Sequence, residues 1–290
     1  AEMAIGLTQC SLLQQAGQTE QALATARMLH EKSPANPAAI KSLIKLLLET
    51  EQWQELLPVL ALANRHHVLP ENEQKILETQ AASGLLTTSE NITDLEKHWK
   101  SLSKKAHKET AIIASYCRRL KEFNRHQEAE TLIRNTLKHQ WSEELVEIYG
   151  QLKTANPGSQ IKQAESWLTE HPTNTQLMLC MGRLAILNQL WGMARSFLEV
   201  AAQNGDSNDA LLELAWLLES LTERDSALQY YKSGLENSLG NRQQGFSISA
   251  NSRLDLKSSG EETKAPVSAQ NPEPEQGTQP PSLAYSNESK

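Results

Sequence analysis

The sequence is short of the residues that most small-molecule and metal chemistry needs. Its 290 residues include only three cysteines, Cys10, Cys117 and Cys180. They are odd in number and far apart with no C-x-x-C, which argues against a disulfide framework or a zinc site. No run of about 18 apolar residues occurs, so no membrane-spanning helix is expected within the sequence. No segment of five or six residues alternates apolar and polar side chains with Val, Ile and Thr, so no strand is expected. No G-x-G-x-x-G, no H-E-x-x-H, no H-x-x-x-H and no Ser/His/Asp order is present. The eight histidines are scattered, and His66 and His67, being adjacent, point about 100° apart on a helix and do not chelate together. With no constellation to carry a reaction, the sequence reads as that of a non-enzyme, with no metal and no resident cofactor. There is no signal peptide at Ala1, and a chain opening Ala-Glu-Met-Ala reads as a piece of a longer protein.

Charge is unevenly spread. The net charge is −7, yet Lys97 to Arg125 alone carries +7, leaving the remainder at −14. The overall sign argues against nucleic-acid binding, whereas the local block suits one anionic partner. Composition also changes along the chain. The last 50 residues hold 5 of the 11 prolines and 9 serines, with few Leu, Val or Ile. Such a segment buries too little apolar surface to offset its chain entropy. The sequence therefore divides into a helical domain over 1–237 and a disordered, nearly neutral tail over 238–290.

What is abundant is helical periodicity. Leu43, Leu46 and Leu47 keep a 3.6-residue spacing, as do Leu211, Leu214, Ala215 and Leu218. Helix stops recur at Ser33-Pro34, Leu69-Pro70, Asn156-Pro157-Gly158 and His171-Pro172. A period near 34 residues with two helices per unit is the tetratricopeptide pattern. Five units fit it, starting at Met3, Pro37, Thr110, Thr175 and Asn208. The small residue expected at position 20 is Ala22, Ala129, Ala194 and Ala227 in four of them, and Leu56 in the second. Position 8, where a small residue lets paired helices approach, holds Cys10 and Cys117, which read as core packing. Trp53 and Trp191 both fall at position 17, where an aromatic is expected to seal the turn. Looser helix pairs are expected over 71–103, broken at 87–91, and over 142–170, broken at 156–158. The fold class is all-α: a right-handed α-solenoid of about seven helix pairs.

Three segments go beyond the generic repeat code. They are Ala1-Glu2-Met3-Ala4-Ile5-Gly6-Leu7, Glu51-Gln52-Trp53-Gln54-Glu55-Leu56-Leu57-Pro58 and Leu152-Lys153-Thr154-Ala155-Asn156-Pro157. Through them residues 1–237 resemble the C-terminal tetratricopeptide region of the proteobacterial HemY family, inner-membrane proteins linked to haem and porphyrin metabolism. The resemblance implies an N-terminal membrane region lying outside this chain. It implies a repeat domain in the aqueous phase beside the bacterial inner membrane, on the cytoplasmic side. It also implies a scaffolding or regulatory role in late protohaem synthesis, with enzymes such as ferrochelatase as partners. The flavin-containing protoporphyrinogen oxidase that shares the name is not similar to this sequence.

Two sets of residues are candidates for contact. In tetratricopeptide solenoids positions 2, 5, 9, 12 and 13 of the first helix line the concave groove. Here they include Lys41, Lys45, Arg118, Lys121, Arg183 and Trp216. Five cations and an indole suit an acidic peptide through charge-assisted hydrogen bonds and stacking. Porphyrin propionates would be held the same way. The asparagines of a chaperone-type carboxylate clamp are absent. The second set, Lys97, Lys100, Lys104 and Lys108, has 3–4 spacing and reads as one basic stripe facing anionic lipid or an acidic partner. The function expected is protein–protein interaction. A general envelope-assembly or peptide-binding protein and a haem or porphyrin carrier stay as alternatives, although no motif supports haem binding.

Overall fold

The computed structural model describes residues 2–203 and 207–239. Among them are fourteen α-helices, one short 3-10 turn and no strand. Among the described residues the helices follow one another as seven consecutive helix–turn–helix units. Five are the regular units: α1 (Glu2–Gln15) with α2 (Thr19–Lys32), α3 (Pro37–Glu49) with α4 (Trp53–Arg65), α7 (Thr110–Glu122) with α8 (His126–Leu137), α11 (Thr175–Leu187) with α12 (Trp191–Gln203), and α13 (Asn208–Ser220) with α14 (Arg224–Leu239). The two looser pairs are α5 (Glu71–Thr87) with α6 (Ile92–Ser101), and α9 (Glu143–Gly150) with α10 (Pro157–Leu168). The fold expected from the periodicity is the fold found. The repeat domain was placed at 1–237, but α14 continues to Leu239. The tail assigned to 238–290 lies, from residue 240 onward, outside the described residues.

The entry to several helices follows from side-chain chemistry. Asn36, Asn91, Asn156, Asn174 and Ser207 each stand at an N-cap and accept a backbone N–H of the first turn, which satisfies a donor the helix leaves free. Pro37 and Pro157 follow two of these caps, where a missing N–H costs nothing.

The turn inside each regular pair is the same device five times. Gly17, Glu51, Asn124, Gln189 and Thr222 all have positive φ, from 53° to 73°, and all occupy repeat position 15. After each, the next N–H reaches back five residues: Gln18 to Leu13, Gln52 to Leu47, Arg125 to Leu120, Leu190 to Ala185 and Glu223 to Leu218. That pattern is the Schellman motif, which closes the first helix and sends the chain back along it.

Packing explains the repeat code. Position 20 is buried in all five units, as Ala22, Leu56, Ala129, Ala194 and Ala227. At position 8 of the unit beginning at Thr175, a Cβ on Gly182 would sit 2.6 Å from Leu198. Only glycine admits that large side chain from the second helix. The core forms two clusters, one reaching from Cys10 to Ala81 and the other from Ala82 to Ala227. Trp53 and Leu57 pack against both and join them. Trp53 meets the following pair at Gly84, where an added Cβ would come within 2.5 Å of the indole. Trp191 does not repeat this role: it is 44% exposed. Position 17 therefore seals a turn in one unit and is left open in the other.

Candidate partner-binding groove

The groove candidates stand on the first helices of their pairs. Lys41 and Lys45 stand on α3, Arg118 and Lys121 on α7, Arg183 on α11 and Trp216 on α13. Lys45, Arg118, Arg183 and Trp216 all occupy repeat position 9, the equivalent place on their respective helices.

The arrangement is less basic than the sequence count of five cations. Arg118 forms an ion pair at 2.8 Å with Glu144 of α9. Arg183 lies 2.6 Å from Glu213 and 3.6 Å from Asp209, both on α13, and its side chain is 11% exposed. These arginines tie neighbouring pairs together, and their charge is matched within the chain. Lys121 donates to the Gln151 side chain and Lys45 to Gln14 at 3.1 Å, neutral partners that leave the lysine charge uncompensated. Gln14 in turn contacts Glu49. Lys41 is exposed and makes no ion pair with a described residue. At the far end Trp216 is 54% exposed, with Leu212 one turn before it also exposed. Among the groove candidates, the groups left without a charged partner are thus three lysines on α3 and α7, and an exposed indole with an aliphatic neighbour on α13.

The basic stripe is corrected by the backbone. α6 ends at Ser101, and Leu102 leaves it in extended conformation, φ −71° and ψ 153°. Lys97 and Lys100 are on α6, Lys104 is on the following turn, and Lys108 ends the 3-10 turn Ala106–Lys108. All four are exposed, but they do not share one helical face. Lys100 pairs with Glu96 at 3.6 Å.

Three of the eight histidines are engaged by neighbouring groups. His98 Nδ1 is 3.0 Å from Ser89 Oγ. His107 Nε2 lies 2.8 Å from the Trp99 carbonyl, with its ring against that indole. His171 stacks on Trp141 at 3.6 Å. No group of three His, Cys, Asp or Glu among the described residues is arranged to hold a metal. All three cysteines are buried. Burial pushes the Cys117 and Cys180 thiols up to about 12.

Two features escaped sequence reasoning. One is a buried polar network: the Tyr149 hydroxyl lies 3.2 Å from Glu130 Oε1, Gln160 Nε2 donates to the Tyr149 carbonyl at 2.7 Å, and Arg134 approaches Glu130 at 3.7 Å. Burial, and then Glu130, raise the Tyr149 pKa, so its hydroxyl stays a proton donor. The only signal was one acidic side chain, Glu130, on the buried face of α8. The other is a cleft beside α6, lined by Leu57 and Pro58 of the Trp53–Pro58 segment.

No protein-family model matches the chain. Protein HemY of Escherichia coli K12 is 26% identical over 197 residues, covering 67% of this chain and 48% of that protein. Protein HemY of Shigella flexneri aligns with the same figures. The chain carries a HemY-like tetratricopeptide region. It spans about half the length of the HemY proteins it matches. Among solved structures, a thermophilic TPR protein of Thermus thermophilus is 16% identical, covering 88% of this chain and 95% of its own, with a TM-score of 0.27. Pseudomonas aeruginosa PilF is 18% identical, covering 81% and 95%, with a TM-score of 0.34. No described helix is long and apolar enough to cross a membrane.

Proposed function

We propose that this domain is a non-catalytic protein–protein interaction module that takes an acidic, partly apolar segment of a partner along its first-helix layer. The observation that carries the reading is the row at repeat position 9. There, Lys45 keeps an uncompensated charge and Trp216 an exposed indole, while the arginines at the same position are matched by Glu144 and Glu213. The setting follows from the HemY similarity: a scaffold or regulator of late protohaem synthesis at the bacterial inner membrane, with enzymes such as ferrochelatase among its partners. The test is affinity capture with the domain in its full-length, membrane-embedded protein, beside a Lys41→Glu/Lys45→Glu/Trp216→Ala control. Enrichment of a haem-synthesis enzyme that disappears in the control supports the reading. Capture of envelope proteins only moves the domain to a general assembly role. The carrier alternative predicts a shifted Soret band at stoichiometric haem, lost on changing one histidine.

A further inference from the structure

The second-helix layer is interrupted at α6. This helix has 10 residues, whereas the other second helices have 12 to 16. Beside it lies a cleft of about 830 Å3 between α4, α5, α6 and the start of α7. Small-ligand sites span roughly 300–1,000 Å3. The cleft falls within that range and is of a size to take a small molecule.

Its lining is divided by chemistry. Leu85, Leu102 and Ile112 line it and are buried in the fold. Arg65, Lys97 and Lys105 are exposed along it, and none pairs with an acid among the described residues. Of the two lining acids, Glu109 is paired with Lys75 at 3.2 Å, whereas Glu78 accepts only from the neutral Gln74 side chain at 2.6 Å, so the lining keeps an excess of positive charge. An apolar floor under three unmatched cations is complementary to one kind of ligand. We propose that the cleft binds a small amphipathic anion, with an apolar body against Leu85, Leu102 and Ile112 and a carboxylate or phosphate head held by Arg65, Lys97 and Lys105. Of the helices lining the site only α7, through Ile112, also carries groove candidates, and its occupancy does not depend on the groove reading.

Titration calorimetry on the full chain tests this, using dodecanoate, dodecyl phosphate and dodecyltrimethylammonium below their micelle concentrations. Saturable one-to-one binding of an anion, at least about tenfold tighter than the cation, is expected. The stronger of the two anions identifies the head group. Lys97→Glu/Lys105→Glu should weaken anion binding by at least about tenfold. Ala61→Trp, an exposed small residue on the cleft wall, should block it, with circular dichroism and melting temperature showing an intact fold. Lys41→Glu/Lys45→Glu, in the partner groove, should leave it unchanged. The proposal is overturned if neither anion saturates, if the cationic amphiphile binds equally well, or if the cleft variants bind as the parent does.

Discussion

Thr222 is a β-branched residue held at φ 68°, a conformation that costs L-residues about 1–2 kcal/mol. The turn demands it, because the Glu223 N–H must reach the Leu218 carbonyl. Thr222→Gly should therefore raise the unfolding free energy by about 1 kcal/mol or less, part of the gain being offset by the freer unfolded chain. Gly17→Ala should lower it by a similar amount. Urea titrations followed by far-ultraviolet circular dichroism measure both, and a destabilised Thr222→Gly would contradict the strain argument. The buried thiols give a second prediction. With Cys117 and Cys180 at about 12, neither forms a thiolate at pH 8 while folded. Ellman's reagent should modify them only at the rate at which the chain opens, and fast labelling of the native protein would show that their helices are not closed.

At the scale of helices and pairs, contacts between units carry the account. Tyr149, Glu130 and Gln160 connect α8, α9 and α10. Tyr149→Phe leaves buried Glu130 short of a donor, at a cost of about 1–3 kcal/mol, readable as a lower urea midpoint. The position-9 cations separate by the same logic. Arg183→Glu places a third acid beside Asp209 and Glu213 and should destabilise by about 3 kcal/mol or more, whereas Lys45→Glu, exposed, should stay within about 0.5 kcal/mol. Equal effects in thermal melts would mean that Arg183 is not the bridge between α11 and α13. This division was not legible in the sequence. Arg183 and Glu213 stand 30 residues apart, and a cation on a predicted surface position looks the same whether or not the next unit supplies its partner. The lysine stripe failed for a related reason. Its 3–4 spacing holds only while the helix continues, and the extended backbone at Leu102 leaves no mark on that spacing. What the periodicity did disclose was the repeat register itself, because small residues recur at positions 8 and 20 in four of the five regular units, Ile44 and Leu56 being the exceptions. The position-15 turns were hidden, since Glu51, Gln189 and Thr222 are not residues that advertise a positive φ.

For the whole molecule, seven pairs joined by neighbour contacts make a surface longer than any one unit could build. Its chemistry changes along its length, from lysines on α3 and α7 to the exposed indole on α13. The cleft lies beside α6, which ends at Ser101 where the sequence carries no stop signal. The central claim is that partners are read by the first-helix layer, and site-specific photo-crosslinking tests it most directly. A crosslinker replaces Lys45 or Trp216 on that layer, or Lys162 on the exposed side of α10, in the full-length protein. The account predicts a common adduct from Lys45 and Trp216, identified by mass spectrometry and absent from Lys162. Adducts from Lys162 alone, or the same adducts from all three positions, would contradict it.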